Sequence, residues 1–150
     1  MPERLFVYGT LKRDWLAQSS GWPAAAHAQL QPIARSLLAL PWLGQAQATG
    51  MLYRVSHYPA FVPADSGTVF GELYQLPDSS EAVAALLNLL DAYEECSAQD
   101  PHPQEYRRAE ILVTAADGQR QLAWTYCYNR DSADFEPIID GLFSVGNPQS

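Results

Sequence analysis

The sequence predicts an α+β protein whose sheet curls into a small barrel. Three observations predict it. About five runs have strand character, several of them carry glycines that let a sheet bend, and one segment between the third and fourth runs has helical spacing. A flat sheet packed by one helix is the competing arrangement. With 150 residues the chain is expected to form one domain over positions 1–150, with its core at about 4–130 and a tail at 131–150.

Residues Arg4 to Tyr8 form a short, mostly apolar run that ends at Gly9, which suits a strand buried on both faces. Lys12 to Gln31 is mixed, with helical potential at Ala24 to Leu30 after Pro23. Leu43 to Val55 alternates small polar and apolar residues and reads as a strand. His57 to Gly67 reads as a loop, because two prolines, an Asp and a Gly punctuate it. Thr68 to Leu76 alternates again. The period then changes. Asp78 with Glu81 three residues on has the form of a capping box, and Val83, Leu86, Leu87 and Leu90 follow at helical spacing, so a helix is expected from about Ser79 to Glu94. Ser97 to Gln104 is polar and proline-bearing. Tyr106 to Thr114 and Arg120 to Asn129 read as a hairpin, since Asp117-Gly118 lies between them. Pro137 to Val145 is a short apolar piece expected to cover an edge or a barrel end.

Composition removes several function classes. The net charge of −8 argues against nucleic acid, whose phosphates call for clustered cations. Basic residues are scattered apart from Lys12-Arg13 and Arg107-Arg108. No apolar run approaches the roughly 20 residues of a membrane span. Met1-Pro2-Glu3-Arg4 lacks the pattern of a signal peptide, so a cytoplasmic location is expected. Cys96 and Cys127 are far apart and are read as free thiols. His27, His57 and His102 are dispersed, and no metal site is expected.

One carboxylate is out of place. At about 100° per residue, Val83, Leu86, Leu87 and Leu90 define an apolar stripe, and Glu94 projects roughly 20° from Leu87, inside it. Glu95 projects about 130° from the stripe's centre, toward solvent. Asp91 falls roughly 40° from Leu87, and a structural hydrogen bond is its ordinary reading. Three readings of Glu94 stay open: a frayed helix end, a pair with Arg107 or Arg108, or a place in the wall of a pocket. A buried glutamate is a better general base near neutral pH than one in water.

In chain order, "FVYGTLKR", "GMLYRVSHYPAFVP", "GTVFGELYQL", "LLDAYEEC", "EYRRAEILV" and "AWTYCYN" resemble the γ-glutamylcyclotransferase-like family over roughly residues 4–130. The resemblance implies a small mixed β-barrel with flanking helices, and a cavity at the strand end that carries Y-G-T-L. It also implies a reaction. The α-amine of a γ-glutamyl compound attacks its own γ-carbonyl, and 5-oxoproline forms as an amine or amino acid leaves. In the family the glutamate of Y-E is the base, which maps onto Glu94. The Y-G-T-L segment, here Tyr8, Gly9, Thr10 and Leu11, cradles the glutamyl end. A tyrosine of the last strand closes the cavity; Tyr126 and Tyr128 both match, with Tyr128 preferred. Many members carry glycine after the glutamate, where this chain has Glu95, and residues 14–34 match nothing specific.

That chemistry needs a base and donors for a developing oxyanion, and no metal or redox cofactor. The expected partner is a small γ-glutamyl molecule, with oligomeric state left open. No catalytic role is assigned to Lys12 or Arg13, whose ordinary reading is solvated surface. The alternative is a barrel that binds such a molecule without turning it over. An acyl hydrolase is disfavoured, because there is no G-x-S-x-G elbow and no Cys–His pair at recognisable spacing.

Overall fold

The computed structural model describes residues 2–9, 12, 16, 27–55, 58–94, 106–130, 132, 135–138 and 141. Its elements are β1 (Arg4–Val7), α1 (His27–Leu38), β2 (Trp42–Val55), β3 (Tyr58–Gln75), α2 (Ser80–Tyr93), β4 (Tyr106–Ala115), β5 (Arg120–Tyr128) and β6 (Glu136–Pro137). The strands run in the order β3-β1-β5-β4-β2, and β2 pairs back onto β3. Five strands thus close a barrel, and no flat sheet forms. β1 runs parallel to β5, while the other pairings are antiparallel.

β1 shows why a short apolar run can organise the whole. Its side chains alternate between two cores, as strand geometry requires. Leu5 and Val7 join the outer core with Leu37, Leu86, Leu87 and Leu90, where the helices lie against the sheet. Phe6 and Tyr8 join the barrel interior with Ala46, Phe61, Val69, Leu73 and Cys127. β5 splits the same way, with Ala123 and Cys127 inside and Tyr126 and Tyr128 outside. The buried Thr125 hydroxyl donates to the Phe6 carbonyl at 3.0 Å, which satisfies it within the barrel wall. Gly71 is required by close approach: a methyl there would overlap the Val7 carbonyl oxygen and the Phe6 ring.

The segment 57–67 departs from its loop reading. β3 already begins at Tyr58, and Pro59 and Pro63 stand opposite Arg54 and Gly50 of β2. Proline lacks the amide donor a central strand needs. Among the described residues this half of β3 pairs only with β2, so the missing donors face no second strand. The turn residues do their work in a bulge, because the register jumps from Thr49↔Thr68 to Gly50↔Pro63 and leaves 64–67 without partners.

α1 extends well past the Ala24–Leu30 reading. It runs through Pro32 and buries Ile33, Ala34 and Leu37, while residues 24–26 lie outside the described residues. α2 lies where its periodicity predicts, with Leu86, Leu87 and Leu90 buried. Its cap is a correction. The Ser79 hydroxyl, rather than the Asp78 carboxylate, accepts from the Ala82 amide at 3.3 Å, and Asp78 stands one residue too early. The β4–β5 turn closes through Gly118 at φ 87°, with the Gln119 amide donating to Asp117 Oδ1 at 2.9 Å. The described residues of the tail lie on the β2–β3 hairpin: β6 pairs with Tyr53 and Arg54, and the Phe70 amide donates to the Gly141 carbonyl at 2.8 Å. No helix among the described residues is long and apolar enough to cross a membrane.

Ser79→Ala is expected to lower stability by about 1 kcal/mol, the usual worth of an N-cap hydroxyl. Asp78→Ala should cost clearly less, and urea unfolding of both variants checks the order.

Candidate active site

Parallel pairing of β1 and β5 brings their C-terminal ends to one end of the barrel. The antiparallel register of β4 adds its first residues there, since Tyr106 faces Tyr128 and Arg108 faces Tyr126. Pro59 to Phe61 cover the same end: Tyr106 donates its hydroxyl to the Pro59 carbonyl at 2.8 Å, and the Phe61 ring meets Tyr8 edge-on at 5.5 Å.

Tyr8, the first residue after β1, is buried and donates its hydroxyl to the Tyr126 carbonyl. Burial pushes its phenol well above the ordinary 10.0, the negative charge of Glu94 and then Cys127 push the same way, and the Phe61 backbone amide opposes them. The phenol therefore stays protonated across the physiological range. Gly9 is buried behind it, and the Lys12 amide donates to the Gly9 carbonyl at 3.1 Å. Thr10 and Leu11 lie outside the described residues, as do Glu95 and Cys96.

Glu94 caps the C-terminus of α2, its amide donating to the Leu90 carbonyl at 2.9 Å. The helix ends at Tyr93, and Glu94, its C-cap at φ −83° and ψ 2°, is half-buried where its charge acts on Tyr8. The stripe argument and the Y-G turn thus converge on one place. Arg108, read in the sequence as one candidate partner of Glu94, reaches Asp91, its Nη1 lying 3.2 Å from Asp91 Oδ2. Asp91 Oδ1 also accepts the Tyr126 hydroxyl at 2.7 Å. The hydrogen bond read for Asp91 is present, and it ties α2 to β5.

Tyr128 lies edge-on between Tyr106 (5.4 Å) and Phe135 (5.7 Å) in an aromatic cluster at this end. Tyr126 is the strand tyrosine that touches both Tyr8 and α2. Sequence reasoning left Tyr126 second to Tyr128 and assigned Arg108 nothing beyond a possible Glu94 pair. The signal was there for Asp91, which projects near the apolar stripe and so calls for a partner on a facing strand. Cys127 is a buried free thiol, raised from 9.0 by burial and lowered by Arg107. Among the described residues, no three His, Cys, Asp or Glu side chains gather as a metal site would need.

The family model for gamma-glutamyl cyclotransferase, AIG2-like proteins matches residues 5–143. This chain belongs to that family. No curated protein matches it in sequence. Among solved structures, ytfP from Escherichia coli is 28% identical with a TM-score of 0.56, over 93% of this chain and 95% of that one. YkqA from Bacillus subtilis is 21% identical with a TM-score of 0.59, over 95% of this chain; the chain spans 40% of YkqA's length. A solved gamma-glutamyl cyclotransferase, 13% identical, superposes with a TM-score of 0.52 over 91% of this chain and 70% of its own. At such identities the last two likenesses speak for the barrel alone. The family supports a cyclotransferase-type function.

The Tyr8 environment has a consequence for stability. Above pH 10.0 the unfolded phenol loses its proton while the folded one keeps it, so stability falls as pH rises. Tyr8→Phe is expected to flatten that fall in urea midpoints, while Cys127, raised from 9.0, adds a slope common to both proteins. Parallel pH slopes in the two proteins would contradict the assignment.

Proposed function

We propose that this protein is a γ-glutamylcyclotransferase-type enzyme that releases 5-oxoproline from a γ-glutamyl amine or γ-glutamyl amino acid, with Glu94 as general base. We read it as a cytoplasmic, single-domain protein acting on a small molecule. The observation that carries the reading is the half-buried Glu94 carboxylate closing a leucine stripe and acting on the phenol of Y-G-T-L.

The steps follow from that pairing. A γ-glutamyl substrate carries an α-ammonium that is mostly protonated near neutral pH. The Glu94 carboxylate attracts it and takes one proton. The freed amine attacks the γ-carbon, forming the ring C–N bond and a tetrahedral oxyanion. Backbone amides after Gly9, with Thr10 and Leu11, are proposed to hold that oxygen. Collapse expels the γ-amide nitrogen, which leaves with the proton held by Glu94; the restored carboxylate then takes the extra proton from the ring nitrogen and passes it to the departing amine, which leaves as an ammonium ion. Both reacting groups belong to one molecule, so holding a single conformer removes much of the entropic barrier. Tyr8, kept neutral by its surroundings, adds no second anion beside the base. Tyr128, in the aromatic cluster, is proposed to wall the glutamyl end.

Glu94→Gln is expected to cut 5-oxoproline release from a panel of γ-glutamyl compounds by about 10²–10⁴, the usual worth of a positioned base, with circular dichroism unchanged. Mass spectrometry reads the product. Release within a few-fold of wild type would remove Glu94 from that role. A wild type that binds the panel and cyclises none of it would favour a non-catalytic binding barrel.

A further inference from the structure

The geometry points to Asp91 and Arg108 as a charge-balanced pair of positioning residues that hold the end of α2 against the barrel and set the proton affinity of Glu94. The inference rests on the reading of Glu94 as a base and names what governs that base.

Two features press negative charge onto the end of α2. Asp91 and Glu94 are three residues apart, a spacing that places side chains as neighbours on one helix face. Like charges so placed repel. The helix C-terminus, with its outward carbonyls, disfavours further anions. Arg108 of β4 answers this from the neighbouring strand. Its guanidinium lies over the Trp124 ring, 5.1 Å from the centroid, and reaches Asp91 at 3.2 Å. Asp91 also accepts from Tyr126, whose backbone carbonyl in turn receives the Tyr8 hydroxyl. One carboxylate thus joins α2, β4 and β5 one turn before the base.

Stability alone is a poor reason for this pair. The side chains are 31% and 16% exposed, and ion pairs open to water contribute little to folding. Their effect on a neighbouring carboxylate is another matter, because it depends on sign. Among the described residues, the other titratable or charged groups at this end include Tyr8 after β1, Tyr93 on α2, Tyr106 and Arg107 on β4, and Tyr126, Cys127 and Tyr128 on β5. Each of these remains when Asp91 or Arg108 is replaced.

The test titrates Glu94 directly. Its side-chain carboxyl carbon is followed by NMR in protein labelled at glutamate, and the signal is assigned by its loss in Glu94→Gln. In Arg108→Gln the cation beside Asp91 is lost, so the Glu94 midpoint is expected to move up. In Asp91→Asn an anion is lost while an acceptor for Tyr126 remains, so the midpoint should move down. Arg108→Lys, which keeps the charge, should stay near wild type. The acid limb of kcat/KM for a cyclised γ-glutamyl compound should shift in the same two directions. A pair with only a structural role would give no shift, or the same shift in both variants, and either result overturns the inference. If Asp91→Asn does not fold, Arg108→Lys compared with Arg108→Gln decides, and equal midpoints overturn it. Opposite shifts in a protein that cyclises nothing would uphold the pair's hold on Glu94 and overturn the reading of Glu94 as a base.

Discussion

A buried, neutral phenol that feels the charge of a carboxylate at the end of a helix is the interaction around which the rest of the structure is arranged. Tyr8 belongs to the barrel interior and Glu94 to the helix packed outside it. The charge of one reaches the other because β1 alternates strictly between the two cores and then ends. Slipping β1 by one residue would send Tyr8 to the outer face and Val7 inward. Gly71 permits β3 to lie close enough to β1 to hold that register, and the parallel pairing with β5 sets Tyr126 beside Tyr8.

The helix is positioned with the same economy. Leu86, Leu87 and Leu90 press α2 onto the sheet, and burial of each such side chain is worth roughly 1.5–3 kcal/mol. Burial is non-directional, however, and it does not fix how the last turn is rotated. The Asp91 contacts to Tyr126 and Arg108 supply direction at that end. The proposed intramolecular cyclisation would ask of such a site one conformer and one base in place of a large constellation of catalytic groups.

Much of this was legible in the chain, for reasons that differ by element. β1, α2 and the β4–β5 hairpin carry local signals: consecutive apolar residues, a leucine stripe and Asp117-Gly118. Glu94 was legible because it broke the leucine pattern, and the motifs around it pointed to the family. α1 was obscured by Pro32, which reads as a helix breaker, and by the mixed residues before it. The first half of β3 was hidden because Pro59 and Pro63 read as loop, and only the sheet topology reveals that their missing donors face no second strand. The choice of Ser79 over Asp78 as cap depends on a one-residue phase that composition does not set. The Asp91–Arg108–Tyr126 contacts join residues from three elements, so no local window contains them. Thr10, Leu11 and Glu95, singled out in the sequence, lie outside the described residues.

The central claim is that the Glu94 charge bears on the Tyr8 phenol, and an alkaline titration of ring-labelled tyrosines by NMR tests it most directly, with Tyr8 assigned by its loss in Tyr8→Phe. In wild type the Tyr8 midpoint should lie well above 10.0. In Glu94→Gln it should fall yet remain above that value, because burial, the larger cause, is untouched. A Tyr8 midpoint that does not move when Glu94 loses its charge would contradict the account.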